Sequence, residues 1–183
     1  MTQNRTLSLI LPAFGAAIIA ALAQIIIPIG AVPITLQTFA VGLVAAILKP
    51  REATLAATLY LILGAIGLPV FAGGGAGFHI LIGPSAGYLW FDLLYAAITS
   101  YLIHSKSSMI RIFLANLLGD SLVFVGGILG LHFLASMPFD KALAVGVVPF
   151  IIPDLAKIIA ISFIGKALLK RLTKDKSFTF NHS

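Results

Sequence analysis

No cysteine occurs in this 183-residue chain, which excludes disulfides, thiolate metal sites and cysteine nucleophiles. Charge is scarce as well. Asp, Glu, Lys and Arg make 10% of the residues, against roughly 25% in an ordinary soluble domain. Hydrophobic residues make 60%, where about 45–50% is usual. A single domain of this length has no interior large enough to hide that much apolar surface from water. The solvent is therefore lipid, and a soluble enzyme is excluded. The net charge of +6 does not signal a nucleic-acid partner either, because the basic residues sit in short pairs between apolar runs and in a terminal tail.

What the chain has in abundance is long apolar runs. About 17–25 such residues cross a bilayer as a helix. Residues 7–29, 53–68, 86–103, 112–134 and 143–164 qualify, and 36–48 reaches spanning length if 31–35 continue it. These runs are continuous rather than alternating, which excludes a membrane β-barrel. The expected fold is an all-α integral membrane protein, a bundle of six transmembrane helices over residues 1–172. Residues 173–183 form a polar, disordered cytoplasmic tail.

Six spans put both termini on one side, and positive charge decides which. With the termini cytoplasmic, the inner segments hold Arg5, Lys49, Arg51, Lys106, Arg111, Lys166, Lys170, Arg171, Lys174 and Lys176. The outer loops hold Lys141 alone, and Lys157 lies within a span. The first run has a basic Arg5 and an Ala21-Leu22-Ala23 motif like a signal-peptide cleavage site. Its apolar character continues through Ile25-Ile26-Ile27, so an uncleaved first span is expected.

Charged groups inside a span are costly and default to functional candidates. Asp154 and Lys157, three residues apart, share one face of the last helix and offer an acceptor and a donor in a dry setting. Neither is near a terminus where lysine snorkels, which favours a ligand-facing role over a self-satisfied ion pair. Pro149 and Pro153 suggest that the regular helix begins near Pro149. Asn116 and Asp120 share a face of the fifth span and read as hydrogen-bonding glue between helices. Asp92 has Tyr88 and Tyr95 on its face, and either role fits it.

The outer stretch 69–85 joins spans three and four without one charged residue, and contains Gly73-Gly74-Gly75-Ala76-Gly77. No Gly-Lys-Ser/Thr follows, so this is not a phosphate cradle. Glycines there permit close backbone approach to a ligand. The flanking Phe71, Phe78 and Ile80-Leu81-Ile82 are too apolar for a loop left in water, so it should fold back over the bundle as a lid. His79, His104 and His132 are scattered, and no metal site is expected. On the first span Ala13, Ala16, Ala17, Ala20 and Ala21 fall within a face about 140° wide. Small faces let helices approach closely in lipid. The residues alone leave open whether this face packs inside the bundle or against a partner.

Three segments carry a family resemblance: Val32-Pro33-Ile34-Thr35-Leu36-Gln37-Thr38, the glycine stretch from Gly67 to Gly74 with its Gly83-Pro84-Ser85-Ala86-Gly87-Tyr88-Leu89 exit, and Pro153-Asp154-Leu155-Ala156-Lys157. Together they resemble the BioY family, the biotin-specific substrate-binding S-components of energy-coupling factor (ECF) transporters. Two departures are visible. Ser85-Ala86 stands where the family usually has Thr-Gly, and Ala76 interrupts the glycine run.

The resemblance implies capture of biotin from outside, in association with a transmembrane coupling protein and two ATP-binding subunits. It implies no enzymatic activity in this chain, no catalytic residues and no cofactor, with biotin bound as transported substrate. Substrate-binding residues by this reading are Asp154 as acceptor, Lys157 as donor or cation, and Phe71, Tyr88 and Trp90 as walls. Gly73, Gly74 and Gly87 offer backbone amides, and Thr35, Gln37 and Thr38 complete the polar contacts. The Ala-x-x-x-Ala spacing at Ala13/Ala17, Ala16/Ala20 and Ala17/Ala21 matches the motif by which the family docks to its coupling protein. The alternative function is a stand-alone proton-coupled carrier of a small molecule, using Asp92, Asp120 or Asp154 as its relay.

Overall fold

The computed structural model describes residues 2–28 and 32–172, with side chains from Ser8 onward. The expected tail at 173–183 lies outside the described residues, as do Ile29 and Ala31. The chain runs α1 (Thr2–Ala23), β1 (Ile26–Ile27), β2 (Ile34–Thr35), α2 (Gln37–Ile47), α3 (Pro50–Ala65), α4 (Ala86–Leu102), α5 (Met109–Phe133), α6 (Phe139–Gly146) and α7 (Ile151–Leu172). Among the described residues, six helices of eleven residues or more form the bundle, and α6 is a short insertion before the last.

Two boundaries differ from the sequence expectation. Residues 34–35 do not extend α2: Ile26 pairs with Thr35 and Ile27 with Ile34 in a two-stranded antiparallel ribbon. Pro28 and Pro33 push the residue before each toward extended backbone. With 11 residues, α2 rises only about 16 Å, half the ~30 Å hydrocarbon core. The last apolar run also breaks. A helix from Phe139 to Gly146 and a 3-10 turn at Val148–Phe150 precede α7, which starts at Ile151 rather than 143. Pro149 and Pro153 are tolerated there because the first turn of a helix has no use for their missing N–H.

Local sequence explains the remaining ends. Pro50 opens α3, and Glu52 lies in its first turn, where the helix dipole favours an acid. The Ser108 hydroxyl accepts from the Arg111 N–H at 3.2 Å and caps α5. Lys170 and Arg171 complement the C-terminal end of α7.

The packing is inside-out. Asp92, Asn116, Asp120 and Asp154 are buried, whereas Phe14, Ile62, Leu114, Leu118, Val125 and Phe163 are exposed. Such a surface suits lipid, and α5 at about 37 Å is long enough to cross it. Small residues set the closest approaches. A Cβ on Gly126 would strike the Phe91 ring and the Gly87 carbonyl, and one on Gly127 the Tyr88 ring, so α4 and α5 lie nearly backbone to backbone. Ala16, Ile19, Ala53, Ala56 and Ala57 join α1 to α3. At the basic end Ala46, Ile103, Ile112, Ile161 and Leu169 form one cluster, and Lys166 Nζ donates to the Ser107 carbonyl at 2.7 Å. At the other end Val32, Leu131, Ala142 and Phe150 form a second cluster. Between them lies the site.

Candidate functional site

The shortness of α2 leaves room above its first turn, and a cavity of about 260 Å³ fills that space. The starts of α2, α4 and α7 and the second half of α5 converge on it. They supply Gln37 and Thr38, then Tyr88, Leu89 and Asp92, then Asp154 and Lys157, then Val123 and Phe124. The extended segment adds Val32, Pro33 and Thr35, the loop after α3 adds Phe71, Ala72, Ile80 and Ser85, and Phe150 closes the side. The volume lies near the lower bound of ligand pockets, roughly 300–1,000 Å³, so the site suits a small molecule.

The polar groups are tightly organised. Lys157 Nζ donates to Asp154 Oδ1 at 2.5 Å and to Thr38 Oγ1 at 3.1 Å. The two side chains of the pair are only 10% and 5% exposed, so each ion depends on the other for solvation. Asp154 sits in the first turn of α7, where the free backbone N–H groups stabilise a carboxylate. On the facing side Gln37 Nε2 donates to Asp92 Oδ2 at 2.5 Å, and Tyr60 OH donates to Gln37 Oε1 at 2.9 Å. The Thr35 hydroxyl accepts from the Gln37 N–H at 3.0 Å, holding the start of α2. Asn116 behaves as the glue expected of it: Tyr95 OH donates to its Oδ1 at 2.9 Å, and its Nδ2 donates to the Ile112 carbonyl at 2.8 Å.

The loop between α3 and α4 folds back as expected. Phe71 and Leu81 are buried, and Phe71 stands edge-on to Tyr60 with ring centroids 5.5 Å apart. Gly64 makes room for it, since a Cβ there would fall inside the Phe71 ring. Gln24 at the end of α1 pins the loop by donating from Nε2 to the carbonyls of Val70 at 3.0 Å and Phe71 at 3.3 Å. Phe78 and Ile82 remain exposed.

Of the site residues read from sequence, the structure gathers Asp154, Lys157, Thr35, Gln37, Thr38, Phe71 and Tyr88 around one cavity. It places four elsewhere. Trp90 is 46% exposed and its Nε1 donates to the Leu81 carbonyl at 2.9 Å, so it braces the loop from outside. Gly87 faces α5, where a Cβ would run into the Gly126 carbonyl; it serves helix contact. Gly73 and Gly74, at φ 64° and 84°, are exposed beside the lining residue Ala72 and form the turn of the loop. The alanine stripe of α1 is also divided: Ala16 is buried against the bundle, Ala20 is half-buried, and Ala13, Ala17 and Ala21 are exposed. Sequence reasoning missed Tyr60, Phe124 and Phe150, which carry no motif. It also missed Gln24, whose signal was a lone amide at the end of an apolar run.

A family model for BioY matches residues 1–174, nearly the whole chain. The chain belongs to the BioY family. It is 42% identical over 182 residues to "Biotin transporter BioY2" of Lactococcus lactis subsp. cremoris, covering 99% of this chain and 100% of that one. It is 38% identical over 148 residues to "Biotin transporter BioY" of Thermotoga maritima, covering 81% and 87%. Among solved structures, the S-component for biotin from an ECF-type ABC transporter superposes with a TM-score of 0.87 at 29% identity, covering 99% of both chains. This BioY chain is accordingly a multi-pass membrane protein, and lipid is the solvent its apolar surface meets.

Proposed function

We propose that this BioY chain binds biotin in the cavity and serves biotin uptake as the membrane-embedded substrate-binding subunit of an ECF transporter. The observation that carries the reading is the buried Asp154–Lys157 pair set at the edge of an otherwise mostly apolar cavity. Biotin's fused rings are largely apolar, its ureido group has two N–H donors and a carbonyl, and its valerate ends in a carboxylate. Asp154 accepts a ureido N–H. Lys157 supplies the donor or cation for an oxygen of the ligand, and Phe71, Tyr88, Phe124 and Phe150 wall the rings. Transport rather than catalysis is the role of this chain, and ATP hydrolysis belongs to partner subunits.

The supramolecular part of the reading rests on surfaces. Lys49, Arg51, Lys106, Arg111, Lys166, Lys170 and Arg171 mark the end opposite the cavity, which supports cytoplasmic termini and a cavity facing outward. Ala13, Ala17 and Ala21 leave a shallow exposed strip on α1, narrow enough for a helix of the coupling protein to approach closely. Calorimetry of the detergent-purified protein against biotin and other water-soluble vitamins tests the central claim. Saturable 1:1 binding of biotin alone is expected. Absence of biotin binding, with another vitamin taking its place, overturns it.

A further inference from the structure

Asp92 is the buried group left over once the pocket is built from Asp154 and Lys157. It is 2% exposed, lines the cavity, and sits on α4 across from α2. Its Oδ2 accepts from Gln37 Nε2, but its Oδ1 is buried with no hydrogen-bond partner among the described residues. A carboxylate oxygen in that state loses its hydration without replacement, a penalty proteins accept mainly where another group arrives to satisfy it. The carboxyl is also unusually well held. Tyr60 OH fixes Gln37 Oε1, which forces the amide nitrogen of Gln37 toward Asp92. Tyr60 is itself buried against Phe71, so three helices and the loop cooperate to aim one acid at the cavity. Structural glue would show both oxygens engaged, as the Asn116 oxygen and nitrogen are.

We infer that Asp92 is a second ligand acceptor, which takes a ligand N–H on the side of the cavity opposite the Asp154–Lys157 pair, with Gln37 and Tyr60 as positioning residues. The ligand chemistry this selects is a small ring carrying two N–H donors, since Asp154 serves one and Asp92 the other. Gln37 holds one oxygen of the carboxyl, which leaves the other for the ligand. The inference rests on the biotin reading, in which the two donors are those of the ureido group. It extends that reading by making recognition two-sided. A ring lacking either N–H would then leave a buried carboxylate unpaired, and rejection follows from that penalty rather than from shape.

Calorimetry with biotin and its two ureido N-methyl isomers, each lacking one N–H, tests this on the unaltered protein and on Asp92→Asn. The unaltered protein should bind biotin and lose about 10- to 150-fold with each isomer, the range for a hydrogen bond to a charged group. Asp92→Asn should weaken biotin by a similar factor and abolish discrimination against one isomer only, leaving the penalty for the other in place. Tyr60→Phe, which releases Gln37, should weaken discrimination against that same isomer. One isomer binding the unaltered protein as tightly as biotin would overturn the second acceptor without needing any variant to fold. Unchanged discrimination in Asp92→Asn would overturn it equally, while biotin binding by the unaltered protein upholds the broader reading. If the unaltered protein fails to bind biotin at all, the broader reading falls and this inference with it.

Discussion

Replacing Asp154 by Asn separates a binding role from a merely structural one. The perturbation keeps the side chain's shape and removes its charge. Lys157 then has only neutral acceptors, the new amide oxygen and the Thr38 hydroxyl at 3.1 Å, and no counter-charge in a site where its own side chain is 10% exposed. Breaking a buried ion pair by removing one member destabilises by about 3–5 kcal/mol. Binding suffers separately. A ligand N–H loses its charged acceptor, which is worth about 1.5–3 kcal/mol, or 10- to 150-fold in affinity. Lys157→Met should resemble it in both respects. The double variant distinguishes the two losses: with neither ion present, no uncompensated charge is buried, and part of the lost stability should return. Affinity should not recover, and the effects on binding should be less than additive because the residues act as one unit. Thermal unfolding in detergent and calorimetry with biotin read the two quantities. Parent-like affinity in both single variants would refute the pocket assignment, and so would recovery of binding in the double variant.

Ala17→Trp should block helix docking on α1, abolishing vesicle uptake and co-purification with the coupling protein while leaving biotin affinity within about twofold; equal loss of binding would return Ala17 to the bundle interior. Gly87→Val should destabilise by at least about 1–3 kcal/mol through overpacking against Gly126, with near-parent affinity in the protein that folds; selective loss of affinity at unchanged melting temperature would restore Gly87 to the ligand. Biotin should slow amide hydrogen exchange across residues 71–82 as the loop closes on it, and Gln24→Ala, which frees the Val70 and Phe71 carbonyls, should raise exchange there in the ligand-free protein. Identical exchange with and without biotin would make this segment a static cover.

Lipid made most of the fold readable, because a backbone there must satisfy its own hydrogen bonds and each crossing must announce itself as an apolar run. The same solvent made charges conspicuous. Asp154 and Lys157 stood out as a pair because both their spacing and their cost point one way. Breaks in regularity were less visible, since Ile34–Thr35 and residues 143–150 are as apolar as the helices they interrupt. Only Pro28, Pro33 and Pro149 marked them.

Within α4, helical geometry held more information than the motif did. Tyr88, Asp92 and Tyr95 fall at i, i+4 and i+7 and share one face, whereas Trp90, two residues on from Tyr88, is turned about 200° away. Although the family resemblance offered both, helical spacing thus argues against Tyr88 and Trp90 as walls of a single pocket. It likewise set Ala16 about 100° from Ala17, too far apart for both to lie at the centre of one docking strip. What no spacing discloses is the triangle of Gln37, Tyr60 and Asp92, drawn from three helices and separated by 23 and 55 residues from Gln37. Its members look unrelated along the chain because the contact exists only after α2, α3 and α4 have packed. The short α2 decides where that packing leaves space. A helix of full spanning length would fill the volume above Gln37 with its own backbone. The stretch before α2, which the sequence allowed to complete a span, is thus the feature that leaves room for the cavity.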